Sequence, residues 1–263
     1  MYTYHKLTLA FALAPFFSFA QSYQAFGPMY QSTGISQNPN DFSALSHNPS
    51  LAPKRTFVGA WVQNRFLHKD FNFFTINAGW KSWLISFSES GNKHFNDYRF
   101  SIGTVKDLAP NLKMGISTSS HYFVTTSREI KNELFFGPSL GFNYNLESME
   151  LALLLRNFVH NAYTVNTIPS YLSLRLLIRD SQSLYYQSEL FAHQQNFGLA
   201  LSLSYLPKQN LQIFIGGRSF PKSLNFGFCS TLGNISILVS SSLLFNLPPS
   251  AGVGAFLFWE DMR

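Results

Sequence analysis

From Thr56 onward the chain alternates apolar and polar residues with a period of two, in segments of about ten residues broken by Gly, Pro, Asn, Asp and Ser. Phe197, Leu199, Leu201, Leu203 and Tyr205 share one parity, and Gly198, Ala200, Ser202 and Ser204 share the other. Leu172, Leu174, Leu176 and Ile178 alternate in the same way with Tyr171, Ser173 and Arg175. Successive side chains of a strand point to opposite faces, so the pattern predicts strands with one greasy and one polar face. The segments run Thr56 to Phe66, Phe71 to Trp80, Ser82 to Ser90, Phe95 to Lys106, Leu112 to Phe123, Asn132 to Asn145, Met149 to Phe158, Ser170 to Arg179, Ser183 to His193, Phe197 to Tyr205, Leu211 to Ser219, Ser223 to Thr231, Asn234 to Ser242 and Gly252 to Trp259. That is an even number, fourteen, and helical spacing extends nowhere for long.

A tilted strand crosses a bilayer in roughly 9 to 11 residues, and bacterial single-chain barrels join their strands by short periplasmic turns and longer outer loops. The even-numbered connections, Lys81-Ser82 and Leu232-Gly233 among them, have five residues or fewer. Val124 to Lys131, Val159 to Pro169 and Leu243 to Ala251 are eight residues or longer, although Leu67 to Asp70 and Phe220 to Lys222 are short. The expected fold is therefore all-β: an antiparallel up-and-down transmembrane β-barrel of about 14 strands, with a soluble all-β sandwich or barrel exported to the periplasm as the competing reading.

Composition sharpens this picture. Charged residues make up 12% of the 263 residues, against about 25% in soluble proteins, while aromatics reach 17% with 28 Phe. Past residue 20 no run of apolar residues is long enough for a membrane helix, and so much Phe excludes disorder. Met1 to Lys6 with one positive charge, apolar Leu7 to Phe17, and Ser18-Phe19-Ala20 read as a signal peptide cleaved near Ala20. The expected organisation is a signal in 1–20, a polar segment in 21–55 forming a periplasmic or lumenal hatch, and a barrel in 56–263, integral to the outer membrane of a Gram-negative-type bacterium. Lipid and lipopolysaccharide are the surroundings this implies. The formal net charge is +6, but the basic residues are scattered singly on an exported chain, which argues against nucleic acid. The lone Cys229 has no partner for an intramolecular disulfide.

Face and depth assign side chains. Trp61, Trp80, Trp83, Tyr122, Tyr144, Tyr205 and Trp259 fall near strand ends, where amphipathic rings form girdles at the lipid-water boundary. Arg99, Arg156, Arg175, Glu189 and Arg218 fall on the opposite parity and point into the lumen, where charges need partners or water. They form either a bracing network or a selectivity site. The seven histidines lack zinc-site spacing, and no metal or cofactor is expected. Gly252-x-Gly254 lies in the last strand with no helix after it, so it marks small lumenal positions and no nucleotide loop. Ser119 and His121 share a face about 7 Å apart, but no orienting acid is evident, and the chain is read as non-enzymatic.

Before the first strand stands Asp41-Phe42-Ser43-Ala44-Leu45-Ser46-His47-Asn48-Pro49-Ser50-Leu51-Ala52. This stretch resembles the Asp-x6-Asn-Pro-Ala-x-Leu type of element that precedes the barrel in the FadL/PorV-like outer-membrane family. The turns around Asp107 to Gly115 and Leu206 to Leu211 are similar to that family's periplasmic turns. The resemblance implies a 14-stranded barrel with a small N-terminal hatch. It carries Asn48 and Pro49 over as anchoring positions, places Asp41 and Ser50 in the motif, and has Ser50 where Ala is usual. It implies two functions. One is an accessory subunit of a larger outer-membrane complex such as the type IX secretion translocon, favoured because 263 residues leave little chain for long outer loops. The other is a FadL-type transporter of a hydrophobic ligand.

Overall fold

In the computed structural model, residues 33, 48–52, 56–68, 72–92, 94–126, 132–157, 170–193, 196–245 and 247–259 are described. Fourteen strands follow one another: β1 (Thr56–Asn64), β2 (Asn72–Trp80), β3 (Trp83–Asn92), β4 (Phe95–Ala109), β5 (Leu112–Thr125), β6 (Glu133–Asn145), β7 (Met149–Arg156), β8 (Tyr171–Arg179), β9 (Leu184–His193), β10 (Asn196–Lys208), β11 (Leu211–Ser219), β12 (Lys222–Leu232), β13 (Ile235–Leu244) and β14 (Ser250–Trp259). Each pairs antiparallel with its sequence neighbours, and β1 pairs with β14 from Thr56↔Trp259 to Asn64↔Ala251, so the sheet closes without an edge. The strands fall where the alternation puts them, with no end displaced by more than three residues. β4 and β10 run longest past their expected ends, and both carry register shifts there, at Asp107/Ala109 and Tyr205/Lys208. The rim that holds Thr56 and Trp259 is called here the terminal rim and the opposite one the far rim.

The period-two pattern sorts the side chains cleanly. Leu190, Phe136 and Phe197 project outward with 60%, 64% and 83% of their surface exposed, within a continuous coat of Leu, Ile, Val and Phe. Fully burying one such side chain is worth about 1.5–3 kcal/mol, so this outer face calls for an apolar medium. Inside, hydroxyl and amide residues dominate: Ser86, Ser88 and Ser90 on β3, Ser202 and Ser204 on β10, Ser236, Ser240 and Ser242 on β13.

Large rings still enter the lumen, and each of four lies over a glycine directly across the strand pair. A Cβ at Gly59 would fall 1.9 Å from the Phe256 ring, at Gly79 2.3 Å from Phe57, at Gly198 2.1 Å from Phe191 and at Gly254 2.7 Å from Trp61. All four are register partners. The missing side chain gives the ring a flat bed on the inner wall, a recognised remedy for glycine in sheets.

Candidate functional site

The most confined element in the lumen is the short 3-10 turn Pro49–Leu51 with its cap Asn48. Asn48 and Ser50 are fully buried and Leu51 is 6% exposed. The Asn48 Oδ1 accepts from the Ser50 backbone N–H (3.0 Å) and from Ser50 Oγ–H (2.6 Å), while its Nδ2 donates to the Leu153 carbonyl of β7 at 3.0 Å. Pro49 at the first helical position lacks the N–H that would otherwise need a partner. The turn fits because the wall beneath it is recessed. Gly115 of β5 and Gly141 of β6 are register partners, and a Cβ on them would meet the Ser50 N at 2.3 Å and the Asn48 Oδ1 at 1.7 Å. Ser50 uses its hydroxyl in the cap, a bond that alanine cannot make. On β11, six strands round the ring from β5, a Cβ at Gly216 would fall 1.9 Å from the carbonyl oxygen of buried Thr33. Thr33 and the Asn48 turn thus rest on walls four to six strands apart. Asp41 lies outside the described residues.

The five lumenal charges all point inward and are buried; Glu189, Arg218 and Arg175 fall in two groups on one wall. Toward the far rim, Tyr171 O–H donates to Glu189 (2.9 Å), Arg218 Nη2 donates to the Tyr171 oxygen (3.1 Å), and Arg218 Nη1 stands 3.8 Å from Glu189. The Arg218 guanidinium also stacks 3.4 Å from the Phe191 ring centre, and its Nε donates to the Phe220 carbonyl. Lower on the same wall, Arg175 pairs with Glu150, which also accepts from Arg179 at 2.9 Å. Arg156 ends β7 at the far rim. Alternation in the sequence placed Tyr171 on this face, but Glu150, Arg179, Asp97 and Arg65 were not included, although parity carried the signal: Glu150 shares the parity of Arg156, and Asp97 that of Arg99.

Arg99 belongs to a third group. Its Nε donates to His121 Nδ1 (3.2 Å), Asp97 lies 3.8 Å from that nitrogen, and Ser119 Oγ lies 3.3 Å from His121 Nε2. Ser, His and Asp are therefore assembled, but the hydrogen bonds run against nucleophilic catalysis. Donation by Arg99 makes Nδ1 an acceptor, so Nε2 carries the proton and cannot take one from Ser119, whose hydroxyl donates to the Gly137 carbonyl (3.1 Å). These bonds link β4, β5 and β6. No cluster of metal-ligating side chains exists among the described residues.

Six of the seven girdle rings, Trp80, Trp83, Tyr122, Tyr144, Tyr205 and Trp259, lie on the outer face with 42% to 59% of their surface exposed. Trp61 does not. It is 1% exposed, because it shares the inward parity of Phe57 and Gln63 and Gly254 across the seam leaves room for the indole. Trp61 packs inside with Phe73, Phe214 and Leu238. Two further apolar clusters flank this one: Leu154, Tyr171, Phe191, Ala200 and Leu244 toward the far rim, and Ala52, Phe57 and Leu84 toward the terminal rim. The lumen thus alternates apolar islands with polar wall. Some of that polar wall is unpartnered: Asn77, Ser90, Gln187, Ser202, Ser204 and Asn225 each hold a buried side-chain atom with no hydrogen-bond partner. Each such group costs about 1–3 kcal/mol while kept from water.

No protein-family model matches the sequence, and no curated protein matches it. Solved structures do resemble the fold. A CymD monoaromatic hydrocarbon channel superimposes with a TM-score of 0.67 at 8% identity, over 90% of this chain and 98% of that one. The toluene transporter TodX of Pseudomonas putida gives 0.58 at 10% identity, over 89% and 96%. The Acinetobacter baumannii outer membrane protein Omp33 gives 0.53 at 9% identity, over 78% and 98%. At these identities the likeness is one of architecture: a closed antiparallel barrel of the kind solved for outer-membrane channels.

Proposed function

We propose that this chain is an outer-membrane channel that passes small hydrophobic molecules through a lumen plugged by its own N-terminal segment. The observation that carries the reading is the line of three apolar clusters inside an otherwise polar lumen, from Tyr171 and Phe191 through Trp61 and Phe214 to Phe57 and Leu84. Phe57, Phe191 and Trp61 also cover wall glycines, and together with Phe73, Tyr171 and Phe214 they leave aromatic surface in stages between the rims. An apolar solute gains at each stage by leaving water. The likeness to channels for monoaromatic hydrocarbons supports the same class of cargo.

In this reading residues 1–20 are an export signal, residues 21–55 the plug, and the greasy exterior is solvated by acyl chains and lipopolysaccharide. The terminal rim faces the periplasm, since the connections on its side are two to four residues long and the longest, between β7 and β8, is at the far rim. The accessory role in type IX secretion, expected first from chain length, draws no support from the described residues or the comparisons.

The test is uptake of labelled toluene, and separately of a long-chain fatty acid, by cells whose own channels for them are deleted. Expression should raise uptake of at least one, and Trp61→Ala with Phe214→Ala should lower it severalfold at equal surface abundance. Uptake no higher than in the empty-vector strain, together with stable co-purification of a larger barrel in mild detergent, would reinstate the accessory role.

A further inference from the structure

We propose that the outer wall over β8–β12 binds one phospholipid, with an acyl chain in a groove of the sheet and the phosphate beside Lys208 at the terminal rim. The groove has a volume of about 550 Å³ and opens to the outside of the cylinder. The site needs only that the outer face lies in a bilayer, whatever the lumen carries.

The groove arises from a change of side-chain size. Leu176, Ser188, Leu201, Gly217 and Leu224 are successive register partners and form one row across five strands of the outer face. Ser188 and Gly217 interrupt the leucine coat twice within that row, and all five residues line the groove. A Cβ on Gly217 would meet nothing nearer than 3.5 Å, whereas Gly59, Gly79 and Gly198 on the inner face lie under rings. No described part of the chain fills this recess.

Its surroundings select the occupant. An ordered water needs two to four polar partners, and the outward lining is aliphatic apart from Ser188 and Tyr186. Cargo in the lumen has no route to it, because β10 pairs without a break with β11 from Ala200↔Arg218 to Tyr205↔Ile213 and with β9 from Asn196↔His193 to Tyr205↔Leu184. A second cylinder is convex and would leave the recess empty. An acyl chain is slender and flexible enough to enter, and it restores the dispersion contacts that a void forfeits.

Polarity is graded along β10 in the order of half a bilayer. Leu201 and Leu203 line the groove, Tyr205 follows, and Lys208 ends the strand. The register shift after Tyr205 pairs Lys208 with Leu211, which has the outward parity of Ile213 and Ile215, so the lysine stays on the outer face. Tyr186 and Tyr205, both about half exposed, stand at the interfacial level. The exposed Lys208 ammonium complements a phosphate at the last step.

The test is native mass spectrometry of the full chain released by mild detergent from bilayers containing phosphatidylethanolamine and lipopolysaccharide. Wild type should retain one phospholipid per barrel. Ser188→Leu with Gly217→Leu fills the groove with the residue of the surrounding coat and should lower retention at least tenfold; Lys208→Gln should lower it severalfold. The heat-dependent gel shift of a folded barrel should persist in both. The proposal is overturned by a wild type free of lipid, by a folded groove-filled barrel that retains as much, by lipopolysaccharide in place of phospholipid, or by a dimer that filling the groove dissociates. A second arm leaves the groove unfilled. Fluorescence of Tyr186→Trp should be quenched by a phospholipid with brominated chains, saturating near one lipid per barrel. Quenching of Ile237→Trp, on the outer face of β13, should rise only in proportion to the lipid added. Proportional, unsaturated quenching at both positions would count against the site as firmly as an empty wild type.

Discussion

The β5–β6 wall and the β7–β11 wall of this barrel enclose the same lumen by opposite means. The first removes side chains: Gly115 and Gly141 leave a notch in which the chain's own Asn48–Ser50 backbone completes the surface. The second keeps long side chains, and Arg218, Tyr171, Glu189, Arg175 and Glu150 cover it through ion pairs and hydrogen bonds. A recessed wall is completed by a turn that lies outside the sheet, whereas a filled wall depends on groups that are part of the sheet. The difference teaches which surface the sheet supplies itself and which it leaves to another segment.

Four substitutions probe that contrast. Glu150→Gln should do the most damage, because it leaves Arg175 fully buried without its hydrogen-bonded carboxylate, a loss that costs about 3–5 kcal/mol in comparable pairs. The check is the urea midpoint of unfolding in lipid vesicles, and a change below about 1 kcal/mol would mean the filled wall does not rely on that pair. Gly141→Val comes next, at about 1–3 kcal/mol for overpacking, with a distinguishing sign: protease should cut the N-terminal segment much faster while the barrel core survives. If the core is digested together with the segment, the notch is not separable from the wall. Asn48→Ala removes the acceptor for two Ser50 donors and the donor to Leu153, and should cost about 1–2 kcal/mol with the same faster cleavage in smaller measure. Arg179→Gln should be the mildest. Its side chain is 34% exposed and its bond to Glu150 is accordingly screened, so a change of at most about 1 kcal/mol is expected.

Much of the fold was legible in the sequence because alternation is a local property. Phe197 to Tyr205 announces both the strand and its two faces, and the same arithmetic turned Arg99, Arg156, Arg175, Glu189 and Arg218 inward. Trp61 shows the limit of arguing from residue type. A tryptophan near a strand end invites a place in the interfacial belt, yet its parity with Phe57 and Gln63 already placed it inside. Glu150 and Asp97 were within reach of the same parity argument. The glycine notch was not, since it needs Gly115 and Gly141 in register and Asn48 bonded to Leu153, 105 residues away. That information lies in strand pairing, which no local window contains. The His121 group is a mixed case: Ser119 and His121 were paired correctly on one face, but Asp97 and the reversed hydrogen-bond polarity depend on the neighbouring strand.

The ring-over-glycine pairs bear on how the cylinder shuts. Two of the four sit at the junction of the first and last strands and point in opposite senses: Trp61 reaches from β1 over Gly254, and Phe256 reaches back from β14 over Gly59. Sliding the two strands by one pairing step would drive both rings onto backbone that has no bed for them. The final joint of assembly is therefore keyed like a lock with two wards, and only one alignment lets the ends of the sheet meet.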